Sequence, residues 1–386
     1  VAAPAHPPVF WRLVVTDLLG ATITLVTGTA DDIALQFRLN RPDMLTFSLP
    51  SEDPLTNIVH TDGYPYMACG VRMVKAFRKV GTDPGNWVIR FVGRVWTLED
   101  SGDGSRVRTN VTCYSPLHLL GKRLVRESDG TVYKQVKWWD TPGAVIFRDM
   151  VERTHVYKGQ NIGLDDTSTG TWSVGTAHQT VGYDQAYILP SVVTLCDTGT
   201  MDITQDYQNV TDGKHLRLGA VSRLGLQKEA VVFGYAAPPR TATSFQRVQT
   251  MDDLYNDVTL WGKSTTGRRA VSTDATSKTT FGTFEVAEVI SDIETVELLQ
   301  LLADERIALQ KDPRDMVTVI PAPEISSVPF DAWFVGDTIR VNASRSPFPV
   351  TRELVSGYQR VYGFDLEVGK TAGEQVTNMI VSSQGA

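Results

Sequence analysis

Cysteine, histidine and a surplus of basic charge are all scarce in this chain of 386 residues, and each shortage removes a class of function. The three cysteines, Cys69, Cys113 and Cys196, are an odd number at wide spacings with no C-x-x-C pair. That pattern argues against a disulfide framework and against a cysteine-based zinc site, and all three read as buried thiols. The six histidines, His6, His60, His118, His155, His178 and His215, include no pair four apart, the spacing that offers two imidazoles to one metal. No metal or cofactor is expected. Basic residues number 37 against 44 acidic ones, a net charge of −7 spread in short mixed runs, so no patch could neutralise a row of phosphates. No apolar run approaches the ~20 residues that a membrane-spanning helix needs. The opening VAAPAHPPVF lacks the charged and then apolar regions of an intact secretion signal, and a form trimmed at that end remains compatible with it.

Motifs that carry chemistry are missing too. There is no G-x-S-x-G nucleophile elbow and no glycine-rich dinucleotide turn. GKSTTG (Gly262 to Gly267) resembles the end of a phosphate-binding loop, but Asp257 stands where the motif needs its first glycine, so a polar turn is the better reading. The acidic pairs Asp31-Asp32, Asp165-Asp166 and Asp252-Asp253 are sequence neighbours, whereas hydrolase carboxylates must face each other across a substrate. Helix starts and solvated loops account for the last two pairs. Sequons occur at Asn110, Asn209 and Asn342, two of them within expected strands, and chance explains them best. Trp138, Trp139 and Trp172 are the aromatic residues from which a sugar platform could be built, although neighbouring strand residues point to opposite faces. Core packing and subunit contacts are the expected uses. The chain is therefore expected to be no enzyme, with no catalytic, cofactor-binding or metal-binding residue.

What the chain has is period-two alternation. Ile33, Leu35, Phe37 and Leu39 share one strand face, and Val107, Thr109, Val111 and Cys113 alternate with Arg106, Arg108, Asn110 and Thr112. Further strands are expected over Trp11–Val15, Ala21–Val26, Val71–Phe77 and Trp87–Leu98. Near the end, Ile339, Val341 and Ala343 alternate with Thr338, Arg340 and Asn342 after a Gly336-Asp337 turn, and YQRVYGFDLEV and EQVTNMIVSS follow as closing strands. Strands at such short intervals predict a barrel or sandwich.

The middle is mixed. Ser115-Pro116 and Thr141-Pro142 each carry a hydroxyl cap followed by proline at the first helical position, and the second opens GAVIFRDMVERT, with Val145, Ile146 and Met150 on one stripe. The Gly-, Thr-, Asp- and Ser-rich stretch Tyr157 to Gln185 reads as a long loop, and strands are expected at SVVTLC, KHLRLGA and EAVVFGY. AAPPR (Ala236 to Arg240) marks a boundary. Beyond it, Thr250-x-x-Asp253 and Ser291-x-x-Glu294 are capping boxes, predicting helices over MDDLYNDVTLWG and over DIETVELLQLLADERIALQK, the latter packed on a barrel flank. A faint internal echo links FVGRVWTLEDSGDGSRVRTNVTC to YQRVYGFDLEVGKTAGEQVTNMIV: each reads as Arg-Val-aromatic, a strand, a polar loop with glycine, and an alternating strand.

The order of these features resembles the tail-tip or baseplate hub proteins of long-tailed bacteriophages. RLNRPDMLTFSLPSEDP, FVGRVWTLE, the helix after Thr141-Pro142-Gly143, the capped helix before VTVIPAP, and FVGDTIRVNA carry the resemblance. It implies a mainly β fold with α+β insertions, in which two related tube-like β-barrels are joined by a mixed α/β region. The first barrel is expected over residues 1–114, completed by strands within 214–235; the mixed region over 115–245; flanking helices and the second barrel over 246–386. The implied role is a homotrimeric ring at the virion's tail tip that adapts a sixfold tail tube to a threefold tip and channels DNA during ejection. Its implied partners are a tail-tube or distal tail ring protein, a tape measure protein, and tail fibre or receptor-binding proteins, with DNA only in transit. Excess carboxylate on the lumen would repel passing phosphate. The competing expectations are an extracellular carbohydrate-active β protein and a secreted adhesive one.

Overall fold

The computed structural model describes residues 7–382 apart from 27–28, 83–84, 103–106, 133–135, 139–140, 159–162, 166–171, 173–176, 179–180, 184–185, 198–200, 211–213, 237–240, 263–266, 291–294, 323–331, 345–352 and 370–372. His6, Trp139, Asp166 and the Ser291-x-x-Glu294 capping box lie outside the described residues, as does most of the Tyr157 to Gln185 stretch.

The fold is mainly β and centres on one 13-stranded sheet. Its strands are β1 (Val9–Thr16), β2 (Thr22–Leu25), β3 (Asp31–Arg38), β4 (Met44–Pro50), β5 (Met73–Val80), β6 (Val88–Gly102), β7 (Val107–Tyr114), β8 (Gln227–Tyr235), β9 (Ala242–Thr250), β10 (Arg314–Pro321), β11 (Thr338–Ser344), β12 (Glu353–Val368) and β13 (Glu374–Ser382). The alternation forecast these faces well. In β3, Ile33, Leu35 and Phe37 are buried, and in β7 Thr109, Val111 and Cys113 are, because every second side chain stands on one side of a pleat.

Strand order runs β9-β10-β13-β12-β3-β4-β7-β6-β5-β1-β2, with β11 against β12 and β8 against β11. Among the described strands of this sheet, only the β8–β11 pair is parallel. One apolar core backs strands from both ends of the chain, with Leu35, Phe37, Leu45 and Val95 joined to Val317, Ile339, Val361 and Phe364. The link is β3 against β12, where Phe37 pairs with Phe364 and Leu35 with Leu366. Among the described residues the ladder does not close: β9 ends it on one side and β2 on the other. Of the strands within 214–235, Leu216–Val221 lies in a separate three-stranded sheet, and β8 pairs with β11.

The internal echo has a structural counterpart. The path β3-β4-β7-β6-β5 repeats as β9-β10-β13-β12-β11, with the same neighbours in the same order. Gly70 and Gly336, at φ +72° and +93°, occupy left-handed turns that suit glycine, and each donates its N–H at 2.8 Å to a valine carbonyl, Val95 and Val361. Arg94 Nε donates to the Gly70 carbonyl at 2.7 Å and Arg360 Nε to the Gly336 carbonyl at 3.3 Å. The long hairpins β6–β7 and β12–β13 slip register at the same place, just after Val95 and just after Val361. β4 and β10 correspond as well, since Leu45 faces Cys113 and Phe47 faces Val111, while Val317 faces Val381 and Val319 faces Met379.

Two smaller units flank the sheet. The middle unit has α1 (Gly143–Lys158), α2 (Ile188–Asp197) and the Leu164–Asp165, Asp202–Asp206 and Leu216–Val221 strands around its own core. SVVTLC, expected as a strand, is part of α2. Its β-branched residues mislead, because Ile188, Ser191, Val192, Leu195 and Cys196 are buried at helical spacing. Pro116–Lys122 is a 3-10 turn, and Thr141-Pro142 pairs briefly with Ala177-His178 before α1 begins.

The other unit contains α3 (Val296–Gln310), capped by the Thr295 hydroxyl. Leu299, Ala303 and Ile307 of α3 pack on Val258, Leu260 and Ala270 of a small sheet built from Asp257–Trp261, Arg269–Thr273 and Glu285–Val289. Hence α3 covers that small sheet, not a barrel flank. MDDLYNDVTLWG, expected as a helix, ends in the Asp257–Trp261 strand. The Thr250 oxygen accepts only from Asp252 N, at 3.1 Å, and shapes a turn there. No helix among the described residues is long and apolar enough to cross a membrane.

Candidate functional site

With no reaction centre expected, the functional question falls on the sheet's seams and edges. The first seam is built on a buried ion pair. Glu374, at the start of β13, accepts from Arg78 Nη2 of β5 at 2.7 Å and from Trp11 Nε1 of β1 at 2.9 Å. Arg78 is 2% exposed and Glu374 4%. Gly373 N also donates to the Val9 carbonyl at 2.7 Å. β12 is hydrogen-bonded to β3 on one flank of the β1–β7 group, while the β12–β13 turn touches β1 and β5 on the other. The group is therefore curled, its flanks fastened by side chains where no ladder joins them.

A second knot anchors the middle unit. Asp202 accepts from Arg360 of β12, from Leu224 N at 2.7 Å and from Asn40 Nδ2 at 3.0 Å. Asn40, left-handed at φ +57°, also accepts from Ile203 N at 2.8 Å. One carboxylate thus ties both strand groups and the middle unit together. Nearby, a cleft of about 340 Å³ is lined by Asn40, Arg90, Tyr207 and Phe334 among others, with Asp43 at its wall. Burial pushes the Asp43 carboxyl up to about 7, against the pull of the Tyr207 hydroxyl, which donates to it at 2.6 Å. Burial, and then Asp43 itself, raise Tyr207 in turn.

Among the described residues, the open strand edges include β9 and the upper half of β6. Among the described residues β9 pairs on one side only, with β10, and six of its nine residues are exposed: Thr243, Ser244, Gln246, Arg247, Val248 and Gln249. β6 is paired with β5 over Val88–Arg94 and with β7 over Arg94–Gly102. Among the described residues its upper half therefore has no ladder partner on the β5 side, and Thr97, Glu99, Asp100, Ser101 and Gly102 are exposed. Uncovered edges of this length are templates for pairing with another chain.

The residues weighed from sequence fall elsewhere. Among the described residues no three His, Cys, Asp or Glu side chains gather as metal ligands would. Cys69 is exposed, contrary to expectation, while Cys113 and Cys196 are buried; burial raises both thiols, Cys196 to about 12. His118 stacks on Tyr114 at 4.3 Å beside Trp96, and His215 bonds the Leu18 carbonyl at 2.7 Å; burial lowers both imidazoles. Asp31 and Asp32 pair with Arg108 at 3.5 and 2.9 Å. Gly262 and Gly267 lie between the antiparallel strands Asp257–Trp261 and Arg269–Thr273, so a strand follows where the phosphate-binding motif needs a helix. Trp138 and Trp172 are core residues at 5% and 6% exposure, and Trp138 Nε1 donates to Asp149 at 2.9 Å, so neither offers a sugar platform. The β9 edge was missed in the sequence because it has no apolar period. Its only signal was indirect: Asp43-Met44-x-Thr46 of β4 recurs as Asp315-Met316-x-Thr318 of β10, which places β9 in the position of β3.

No protein-family model matches the chain, and no curated protein matches it. Solved structures do. The tail protein of Neisseria meningitidis MC58 superimposes with a TM-score of 0.59 at 10% identity, covering 97% of each chain. The 43 kDa tail protein of prophage MuSo2 from Shewanella oneidensis gives 0.57 at 13% identity, over 97% of this chain and 98% of that one. Prophage tail protein gp18 from Listeria monocytogenes gives 0.51 at 12% identity, over 96% and 94%. Over nearly its entire length, the chain has the fold of phage tail proteins.

Proposed function

We propose that the chain is a structural, non-catalytic hub of a bacteriophage tail tip, working as a homotrimeric ring. The observation that carries this reading is the repeated strand path, β3-β4-β7-β6-β5 and β9-β10-β13-β12-β11, within a tail-protein fold. Two related units per subunit, each completed as a tube-like barrel on assembly, would give six around a threefold axis. A threefold ring could then meet a sixfold tail tube without leaving unmatched edges. The division into residues 1–114, 115–245 and 246–386 is part of the same proposal, the middle portion serving as a spacer.

Partners on this reading are a tail-tube or distal tail ring protein on one face, tail fibre or receptor-binding proteins on the other, and a tape measure protein ending in the lumen. DNA passes through during ejection without specific binding, consistent with the net charge of −7. The carbohydrate-active alternative has nothing to favour it once Trp138 and Trp172 are in the core. The test is the mass of the purified protein at micromolar concentration, followed by density maps of virions. A trimer located at the tail tip is expected; a monomer at every concentration, or absence from virions, overturns the proposal.

A further inference from the structure

The repeated strand path leaves one pairing made in one unit and missing in the other. Within the chain, β12 of the second unit pairs antiparallel with β3 of the first: Gly363 with Arg38, Phe364 with Phe37, Asp365 with Gln36, Leu366 with Leu35, Glu367 with Ala34. The strand equivalent to β12 is β6, and the strand equivalent to β3 is β9. Both are open along the very stretch that would complete the set. In the sheet order β9 stands at one end and β6 toward the other, and no ladder joins them within the described residues.

We infer that β6 of one subunit pairs antiparallel with β9 of the next, in the register that β12 and β3 use inside the chain. The repeat fixes that register residue by residue. The shared bulge aligns Val95 with Val361, hence Thr97 with Gly363 and Asp100 with Leu366. On the other side, Leu35 faces Leu45 as Arg247 faces Val317, and Gln36 faces Met44 as Val248 faces Met316. The inter-subunit pairs are therefore Thr97 with Thr250, Leu98 with Gln249, Glu99 with Val248, Asp100 with Arg247, and Ser101 with Gln246.

The chemistry of the two junctions differs in the way their histories require. Phe364, Leu366, Leu35 and Phe37 are buried from the moment the chain folds. Of their equivalents, Asp100, Arg247 and Gln249 are exposed and polar, and Leu98 is only partly buried; Asp100 also accepts from the Thr109 hydroxyl at 2.6 Å. Asp100 opposite Arg247 gives the contact opposite charges, which selects partner and register more than it adds affinity. Such a head-to-tail contact uses two different surfaces, so it closes only as a ring.

The inference rests on the homo-oligomeric reading above and is tested separately from it. In a Cys69→Ser background, Glu99→Cys is combined with Val248→Cys, and in a control with Ser244→Cys, which lies four residues out of register. Mild oxidation and non-reducing gels read covalent linkage; native mass reads assembly. Covalent dimers and closed trimers from Glu99→Cys with Val248→Cys, at least about tenfold more than from the control, support the register. A native trimer that fails to cross-link, or cross-links equally in both, overturns the inference and leaves the trimer standing. A monomer overturns both. As a second arm, Asp100→Arg and Arg247→Asp should each weaken self-association about tenfold and restore it together; independent effects in the double variant count against the pairing.

Discussion

The two long hairpins, β6–β7 and β12–β13, share a bulge, a preceding left-handed glycine and an arginine returned to that glycine's carbonyl, yet only one of them is covered. Beyond the bulge, β12 presents Gly363, Phe364 and Leu366 to β3, whereas in β6 Thr97 and Asp100 are exposed and Leu98 is only partly buried. Backbone geometry alone does not decide whether a strand edge is closed within the chain. Side chains at a few positions do, through the apolar area they remove from water. An edge destined for another molecule must stay soluble on its own, and polar residues at the open edge achieve that.

That contrast can be broken at its strongest point by a charge. Val341 of β11 is 1% exposed whereas its neighbour Arg340 is exposed. Val341→Asp should cost about 4 kcal/mol or more by burying an unpaired carboxylate, while Arg340→Gln should stay within about 0.5 kcal/mol. Denaturant melts of both variants check this, and equal shifts would mean the strand faces are assigned the wrong way round.

The matched pair Phe364→Ala and Leu98→Ala measures the hairpins against each other. Phe364 is fully buried and contacts the rings of Phe37, Trp333 and Phe334 at 5.0 to 5.5 Å, so about 3–5 kcal/mol should be lost. Leu98, only partly buried at the open edge, should cost about 1 kcal/mol in the monomer. Comparable losses at both sites would show that the β6 edge is covered after all.

A pH series sharpens the difference at the entry to β4. The folded Asp43 carboxyl titrates near 7, above its ordinary value of 3.8, so between those values the native state holds a proton that the unfolded state has lost. Stability should therefore fall as pH rises through that window and level off above it. Asp43→Asn should flatten this slope in thermal melts taken from pH 4 to 8.

The smallest expected effect lies at the bulge. A Cβ on Gly363 would meet the Phe37 carbonyl at 2.7 Å and Arg38 Cδ at 2.6 Å, because β3 lies against this position. Gly363→Ala should cost about 1–3 kcal/mol, and Thr97→Ala, at the open equivalent, should be near neutral by the same melts.

Much of the sheet was legible in the sequence because half-buried strands write their faces in alternation, as Ile33 to Phe37, Thr109 to Cys113 and Ile339 to Ala343 do, although Val107, expected on the inward face, is exposed. The recurrence of Arg-Val-aromatic was visible too, as Arg94-Val95-Trp96 and Arg360-Val361-Tyr362. SVVTLC misled because β-branched residues occupy a helix whose buried face only its neighbours define. MDDLYNDVTLWG misled because Thr250 and Asp252 shape a turn as readily as a helix start. The open edge of β9 was invisible because exposed polar residues carry no period. By itself, then, the sequence determined local conformation and the inward faces, which are properties of a few neighbouring residues. Only the tertiary structure decided that β3 and β12 join strands from opposite ends of the chain, that Glu374 fastens β1 to β13, and which edges remain open. Those choices depend on contacts across hundreds of residues, where the free energy lies in mutual burial and not in any one segment.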